Sequence, residues 1–197
     1  MNEDRQKLWD EYTGVKPAYI AWPWLKYTRY GKAEFILHSL QKLGEDITKI
    51  KVLDYGSGVG DYGFVFGRAG ADVTFFDKQE QLDFSKYRVE KEPIQAHFLQ
   101  FPEDNPIIDV DLVIFGEVLE HIENPLQTVT DYFNKKIKYL YTSSYPYRSD
   151  NPNDDYWKHH GDECLPVVVM QKPCRELLEN NYTYEKYDGN ARLWILK

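Results

Sequence analysis

The sequence predicts a doubly wound α/β fold, in which helices cover both faces of a mainly parallel seven-stranded sheet and an antiparallel hairpin closes the chain. Three observations predict it. Short apolar segments alternate with segments of helical periodicity along most of the chain. A glycine-rich turn directly follows the first apolar segment. The sequence Asp188-Gly189-Asn190 separates two final strand-like segments, which is typical of a hairpin. Alternation of this kind joins parallel strands through crossover helices.

Seven short segments have the composition of strands. The runs Ile50 to Leu53 and Val73 to Phe76 are mainly apolar, as expected for buried parallel strands, and an aspartate follows each of them. The other segments are short and bounded by polar or turn-forming residues. The strands are expected at residues 50–55, 72–77, 95–99, 111–115, 138–144, 182–187 and 192–196.

Six segments have the spacing of helices. Phe35, Ile36 and Leu40 recur at helical intervals, and a glycine at position 44 marks the end of that helix. In the last helix, Pro173 should produce a kink or delay the start. The helices are expected at residues 2–12, 32–43, 62–69, 80–89, 125–136 and 165–180.

The domain organisation follows from length and from two unusual segments. A chain of 197 residues suits a single domain spanning residues 1–197. Residues 1–45 form an aromatic, helical N-terminal extension, and residues 146–163 form a polar loop inserted after the fifth strand. Because both segments combine aromatic and polar groups, we expect them to form a lid that excludes water from a binding site. The alternative is that the N-terminal aromatic residues form a packing flap.

Composition restricts the class of partner. The chain carries 24 basic and 32 acidic residues and has a net charge of −8. Nucleic acid is therefore disfavoured, because its phosphates are bound by clustered positive charge. No apolar stretch approaches the roughly 20 residues that span a bilayer, and no apolar signal segment follows Met1. Since Cys164 and Cys174 lack metal-ligand spacing, we expect reduced thiols and a cytoplasmic location. Composition does not indicate an oligomeric state.

The most informative stretch is the turn after the first strand, Lys51 to Asp61. Glycines at alternate positions allow a tight turn and a close approach of a ligand to the backbone. The helix that follows directs its free N–H groups toward the same ligand. An acid at the tip of the second strand is where doubly wound folds hold a ribose diol. We therefore expect a nucleoside-containing cofactor at Asp54, Gly56, Ser57, Gly58, Gly60, Asp77 and Lys78.

Two other interpretations of this turn exist. Gly58-x-Gly60-x-x-Gly63 also fits the dinucleotide fingerprint, which is a weak signal on its own. The Asp54 carboxylate opposes it, because a carboxylate there suits a cationic amino-acid group better than a pyrophosphate. The chain is also too short to leave much room for a separate substrate domain. The plain alternative is a glycine-rich turn that binds no ligand.

A second informative block, residues 116–125, follows the fourth strand. It should face the cofactor cleft, because ligands of open α/β sheets bind beyond the carboxyl ends of the strands. If Glu117 starts a helical turn, Glu120 and His121 follow on the same face. Two carboxylates and an imidazole make a partial ligand shell for a divalent ion, which His159 or His160 of the polar loop would complete. The alternative is that this block caps a helix, lines the pocket and contacts the substrate loop.

Both blocks resemble motifs of one enzyme family. Val-Leu-Asp-x-Gly-x-Gly-x-Gly at residues 52–60, with Asp77 beyond it, resembles the first motifs of class I S-adenosylmethionine-dependent methyltransferases. Glu-Val-Leu-Glu-His at residues 117–121 resembles a motif of the ubiquinone-biosynthesis O-methyltransferases and of small-RNA 3′-terminal 2′-O-methyltransferases. The resemblance covers residues 48–145 well. It implies a Rossmann-like fold, S-adenosylmethionine as cofactor and methyl transfer (EC 2.1.1.-).

The resemblance also implies an acceptor and a catalytic apparatus. We expect transfer to an oxygen of a small molecule, with the acidic composition opposing RNA as the substrate. His121, His159 or His160 would take the proton of the acceptor hydroxyl, or a bound magnesium, manganese or zinc ion would lower its pKa. The expected metal ligands are Glu117, Glu120, His121 and His160, with His159 as the other possible histidine.

Some choices stay open at the level of sequence. The adenine is expected to be contacted by Leu99, Gln100 or Asp104 after the third strand, and Glu117 is a further expected cofactor contact. Acceptors with a nitrogen, a sugar or a protein group are alternatives to a small-molecule oxygen. A non-catalytic cofactor-binding subunit is another alternative, and an NAD-dependent oxidoreductase is a less favoured one.

Overall fold

The structure, a computed structural model, describes residues 30–143, 145–146, 165–187 and 191–197. The predicted helix at 2–12, nearly all of the predicted loop at 146–163 and the turn at 188–190 lie outside the described residues.

Seven strands form one mixed sheet, as the sequence predicts. Their order across the sheet is β3-β2-β1-β4-β5-β7-β6. The prediction of a mainly parallel sheet with a closing antiparallel hairpin is therefore confirmed. The strands are β1 (Lys51–Tyr55), β2 (Asp72–Asp77), β3 (Ala96–Gln100), β4 (Leu112–Phe115), β5 (Tyr139–Thr142), β6 (Tyr182–Lys186) and β7 (Arg192–Leu196).

Five α-helices lie between or beside these strands in the described ranges. The last of them begins at Leu165, where it is predicted, and continues past Pro173, so the proline does not delay it. None of the helices in the described ranges is long and apolar enough to cross a bilayer. The helices are α1 (Tyr30–Lys42), α2 (Asp61–Arg68), α3 (Gln79–Lys91), α4 (Pro125–Asn134) and α5 (Leu165–Asn181), with short 3-10 helices at Ile47–Lys49 and Leu119–His121.

The chain divides into two compact units, up to Pro106 and from Ile107 onward. The expectation of one domain stays a prediction. In the first unit, β2 pairs in parallel with both β1 and β3. Its core includes the buried ring of Phe75, which stacks on Phe98 at 5.5 Å and lies 5.7 Å from the ring of Phe64 in α2. This packing fixes α2, and with it the glycine turn, against the sheet.

In the second unit, β4 and β5 pair in parallel, and β7 pairs antiparallel with both β5 and β6. Trp194 of β7 is fully buried, and its indole N–H donates to Thr142 Oγ of β5 at 3.0 Å. A buried indole N–H needs such an acceptor, so the contact fixes the register between these strands.

Candidate cofactor-binding site

The glycine turn between β1 and α2 is built from left-handed backbone. Gly56, Gly58 and Gly60 have φ values of +64°, +56° and +80°. Residues with a Cβ rarely adopt these φ values, which explains why glycine recurs at alternate positions. The backbone N–H groups of Gly56 and Ser57 both donate to Phe76 O of β2, at 2.8 and 3.2 Å. The turn is therefore held against the end of β2.

One side of the turn is left open. A Cβ built on Gly58 would meet no atom of the described residues within 4 Å. The backbone N–H of Val59 has no hydrogen-bond partner in the described part of the chain, and the buried Ser57 hydroxyl has none there either. Open space beside available donors is what an anionic or polar ligand group requires. The expected cofactor therefore fits this surface.

Other glycines of the turn serve packing instead. A Cβ on Gly60 would approach Phe75 Cε1 at 3.0 Å and Ser85 Oγ at 3.1 Å. A Cβ on Gly63 would lie 2.3 Å from Phe75 Cε1, closer than carbon atoms approach without bonding. Gly63 therefore brings α2 close to the sheet, the role of the third glycine in related turns.

Asp54 is buried, with 1% of its surface exposed. Its Oδ2 accepts a hydrogen bond from the Gly63 N–H at 2.9 Å. This N–H belongs to the first turn of α2, where no intrahelical acceptor exists, and the N-cap residue Gly60 has no side chain to supply one. Asp54 thus caps α2 from the neighbouring strand and places its negative charge at the positive end of the helix dipole. The sequence indicated a ligand contact here and missed this capping role.

Asp77 ends β2 and binds the glycine turn directly. Its Oδ2 accepts from the Gly58 N–H at 2.7 Å, and its Oδ1 accepts from the Lys78 N–H at 2.7 Å. A carboxylate has about four acceptor sites, so Asp77 can accept more hydrogen bonds than these two. The Lys78 side chain itself is exposed. The structure thus brings together six of the predicted residues, Asp54, Gly56, Ser57, Gly58, Gly60 and Asp77, around one turn.

The segment after β3 is a tight turn closed by Asp104. Asp104 Oδ2 accepts from the Gln100 N–H at 2.7 Å, and the Asp104 N–H donates to Gln100 O at 2.8 Å. Phe101 between them is half exposed, and its ring meets the edge of Phe76 at 6.1 Å. Gln100 pairs with Asp77 across the β2–β3 ladder. This register places Gln100, one of the three expected adenine contacts, beside the expected ribose contact.

Arg88 of α3 contacts the turn and was not predicted from the sequence as a site residue. Its side chain is 4% exposed, and it donates to the Val59 carbonyl and, at 3.2 Å, to Asp61 Oδ1. The guanidinium also lies 4.0 Å from the centroid of the Phe64 ring. A buried arginine beside a glycine turn has no local sequence signature, because its partners are 27 and 29 residues away.

The block after β4 differs from the sequence prediction. Glu117 has a φ of +60° and lies outside the 3-10 helix, which comprises only Leu119–His121. The Glu117 N–H instead donates to Ser143 Oγ at 2.8 Å. The expectation that Glu117 starts a helical turn is therefore wrong, and with it the argument that a shared helical face gathers Glu117, Glu120 and His121.

The members of this block differ in exposure. Glu120 is 2% exposed, whereas His121 is exposed and Glu117 is partly buried. Among the described residues, no group of three or more His, Cys, Asp or Glu side chains is arranged to hold a metal ion. His159 and His160 lie outside the described residues. The predicted metal ligands and catalytic histidines therefore stay predictions.

A buried pair follows β5. The Tyr145 hydroxyl donates to Cys174 Sγ of α5 at 3.7 Å, and both residues are fully buried. Burial raises the pKa of Tyr145, and burial also raises the pKa of the Cys174 thiol to about 11. Both groups are thus protonated at neutral pH, and the buried Cys174 serves packing.

The seven-stranded sheet with its closing hairpin, together with a glycine turn between β1 and α2, defines the class I methyltransferase fold. A family model described as a methyltransferase domain matches residues 27–160. The chain therefore belongs to this family, the class I S-adenosylmethionine-dependent methyltransferases.

Individual relatives are more distant. Over 101 residues the chain is 28% identical to ubiquinone biosynthesis O-methyltransferase of Rickettsia felis, a match covering 50% of this chain and 41% of the relative. The bifunctional kinase-methyltransferase WbdD superposes with a TM-score of 0.62 at 17% identity, over 98% of this chain and 46% of that one. The chain thus spans less than half the length of either protein.

A relative of similar size is magnesium protoporphyrin IX methyltransferase (ChlM) from Synechocystis PCC 6803, whose crystal structure contains bound S-adenosylhomocysteine (SAH). It superposes with a TM-score of 0.62 at 16% identity, over 98% of this chain and 94% of that one. Because the sequence identities are only 17% and 16%, these two solved structures establish only the fold of this chain.

Proposed function

We propose that this chain binds S-adenosylmethionine at the glycine turn and transfers its methyl group to an oxygen of a small molecule. The observation that carries the proposal is the open side of the turn at Gly58, bordered by the Asp77 carboxylate. Family membership over residues 27–160 supports methyl transfer as the reaction. The oxygen acceptor is supported by the O-methyltransferase relative.

Residues of the turn and of the neighbouring strands have separate roles in this proposal. The Val59 N–H and the Ser57 hydroxyl donate to polar groups of the cofactor, and Gly58 leaves room for it. The Asp77 carboxylate binds the ribose hydroxyls, and Gln100 lies beside it on β3. Asp54 acts indirectly, by capping α2. The bound cofactor supplies a methyl group on a sulfonium centre, which makes it susceptible to attack by an oxygen.

The chain's remaining tasks are to orient the acceptor, exclude water and accept a proton. His121, His159 and His160 are the proposed proton acceptors. A divalent ion held by Glu117, Glu120, His121 and His160 is the alternative means of ionising the hydroxyl. The segments 1–45 and 146–163 are proposed to form the lid that excludes water.

Calorimetry with SAH tests the cofactor site. Asp77→Ala should weaken binding by about 1–3 kcal/mol, because charge-assisted hydrogen bonds are lost. Asp72→Asn is the matched control, since Asp72 begins the same strand and pairs there with exposed His97 at 3.0 Å. Its affinity should stay within about twofold of the wild type. Binding of a nicotinamide dinucleotide without binding of SAH would contradict the proposal.

A methyl-transfer assay tests the reaction. Protein supplied with S-adenosylmethionine carrying a labelled methyl group should label hydroxyl-bearing small molecules from a panel of phenols and catechols. Full activity after prolonged chelation would exclude a catalytic metal and leave the histidines as the proposed proton acceptors. Binding of SAH without labelled product from any acceptor, nitrogen compounds and proteins included, would favour a non-catalytic subunit.

A further inference from the structure

Arg88 reaches the glycine turn from α3, and its polar contacts include Val59, Asp61 and Tyr30. Its Nη1 donates to the Val59 carbonyl and to Asp61 Oδ1 at 3.2 Å, and its Nη2 donates to the Tyr30 hydroxyl at 3.3 Å. Arg88 and Asp61 are 4% and 2% exposed. The guanidinium therefore links the turn to the first residue of α2 and to the start of α1.

These contacts fix the orientation of one peptide group in the turn. The peptide between Val59 and Gly60 has its carbonyl bound by Arg88 and its N–H bound by Ser57 O at 2.8 Å. Because a peptide group is planar, two bonds on opposite sides prevent its rotation. Glycine on both sides of Val59 would otherwise allow the backbone to rotate freely.

The peptide group two positions earlier, between Ser57 and Gly58, is held in the same way. Its N–H donates to Asp77 and its carbonyl accepts from Gly60. The peptide between Gly58 and Val59 lies between these two fixed groups. Its N–H has no partner in the described part of the chain. Two fixed neighbours thus hold this donor in place, next to the open space at Gly58.

Lysine cannot reproduce this arrangement. A guanidinium presents several donors in a rigid planar fork, whereas an ammonium group is a compact charge on a flexible stem. Arg88 uses the fork to bind a neutral carbonyl and a carboxylate together, with its Cζ 4.0 Å from the centroid of the Phe64 ring. A lysine would keep the positive charge next to Asp61 but lose the hydrogen bond to the Val59 carbonyl.

We propose that Arg88 is a positioning residue for cofactor binding: it holds the glycine turn in the shape that presents the Val59 N–H. This inference rests on the proposed function, because it assigns the turn to S-adenosylmethionine. Arg88 acts through the backbone of Val59 and Gly60 and does not itself touch the cofactor.

The test compares SAH affinity and thermal stability in four proteins: wild type, Arg88→Lys, Arg88→Gln and Leu40→Ala. Leu40 is fully buried in α1, and none of the contacts described for the turn involves it. Leu40→Ala therefore controls for lost stability alone. Calorimetry is done at a temperature at which circular dichroism shows each protein folded. Arg88→Gln should raise the Kd at least about tenfold and Arg88→Lys about fivefold, while Leu40→Ala stays within about twofold.

The outcomes separate the two proposals. A wild-type protein that binds no SAH overturns the proposed function and this inference together. If the wild type binds SAH and the Kd of Arg88→Lys is within about twofold of the wild-type Kd, this inference alone is overturned. If Arg88→Gln does not fold, the result for Arg88→Lys decides. The inference is also overturned if the affinity for SAH falls in proportion to Tm in every variant, with Leu40→Ala losing as much affinity as the Arg88 variants.

Discussion

Replacing Gly63 by alanine tests whether close packing of α2 on the sheet stabilises the fold. The new Cβ would lie 2.3 Å from Cε1 and 2.7 Å from Cζ of Phe75, and 3.0 Å from Val73 Cγ1. Carbon atoms in contact prefer about 3.5–4.0 Å, so the ring or the helix must move by about 1 Å. The Phe75 ring cannot swing into solvent, because it is fully buried between Phe64 and Phe98.

Two opposing effects set the magnitude. Alanine is favoured over glycine within a helix by about 1 kcal/mol. Overpacking a filled core costs about 1–3 kcal/mol, and an overlap this severe belongs at the upper end. The net loss is then about 2 kcal/mol, which corresponds to a fall in Tm of about 4–8 °C for a chain of this size.

Thermal and urea unfolding followed by circular dichroism measure this effect. The double variant with Phe75→Leu provides the control, because removing the ring removes the overlap. Gly63→Ala and Phe75→Leu should be non-additive, with the double variant more stable than the sum of the single changes by at least about 1 kcal/mol. A Gly63→Ala protein that melts at or above the wild-type temperature would refute the packing argument.

Three further changes test other contacts. Gly58→Ala places a methyl group in open space at φ +56°. It should lower the free energy of unfolding by about 1–2 kcal/mol. In calorimetry it should weaken SAH binding more than Gly63→Ala does. Asp54→Ala leaves the Gly63 N–H without its acceptor, so urea unfolding should show a loss of about 1–2 kcal/mol, and an unchanged midpoint would contradict the capping role. Burial raises the pKa of Cys174 from 9.0 to about 11, so the unfolded thiol ionises first and stability should fall as pH rises from 9 to 11. Cys174→Ala should reduce that slope, and an identical slope would contradict the assignment.

Much of the fold was predictable because its signals are local. The strand β2 was predicted at 72–77 and is Asp72–Asp77, since an apolar run between two aspartates has definite ends. The helix predicted at 80–89 extends over Gln79–Lys91, longer than its apolar pattern suggested. One of its buried side chains is Arg88, and hydrophobic periodicity does not count an arginine as part of a buried face.

The cofactor turn was also predictable, because its glycines carry the backbone requirement in their own positions. Glu117 was not, since its left-handed backbone accompanies a hydrogen bond to Ser143, 26 residues away. The capping role of Asp54 was missed for a related reason. Its acceptor contact joins the end of a strand to the first turn of the next helix, and a motif alone does not tell a structural carboxylate from a ligand-binding one.

The position of β7 between β5 and β6 has a consequence for synthesis on the ribosome. β6 is made before β7, but among the described strands it pairs with β7 alone. A nascent chain therefore carries β5 with one unpaired edge until the residues up to Leu196 have emerged. Unpaired strand edges are where chains associate, so the risk of association lasts until the residues of β7 have paired with β5.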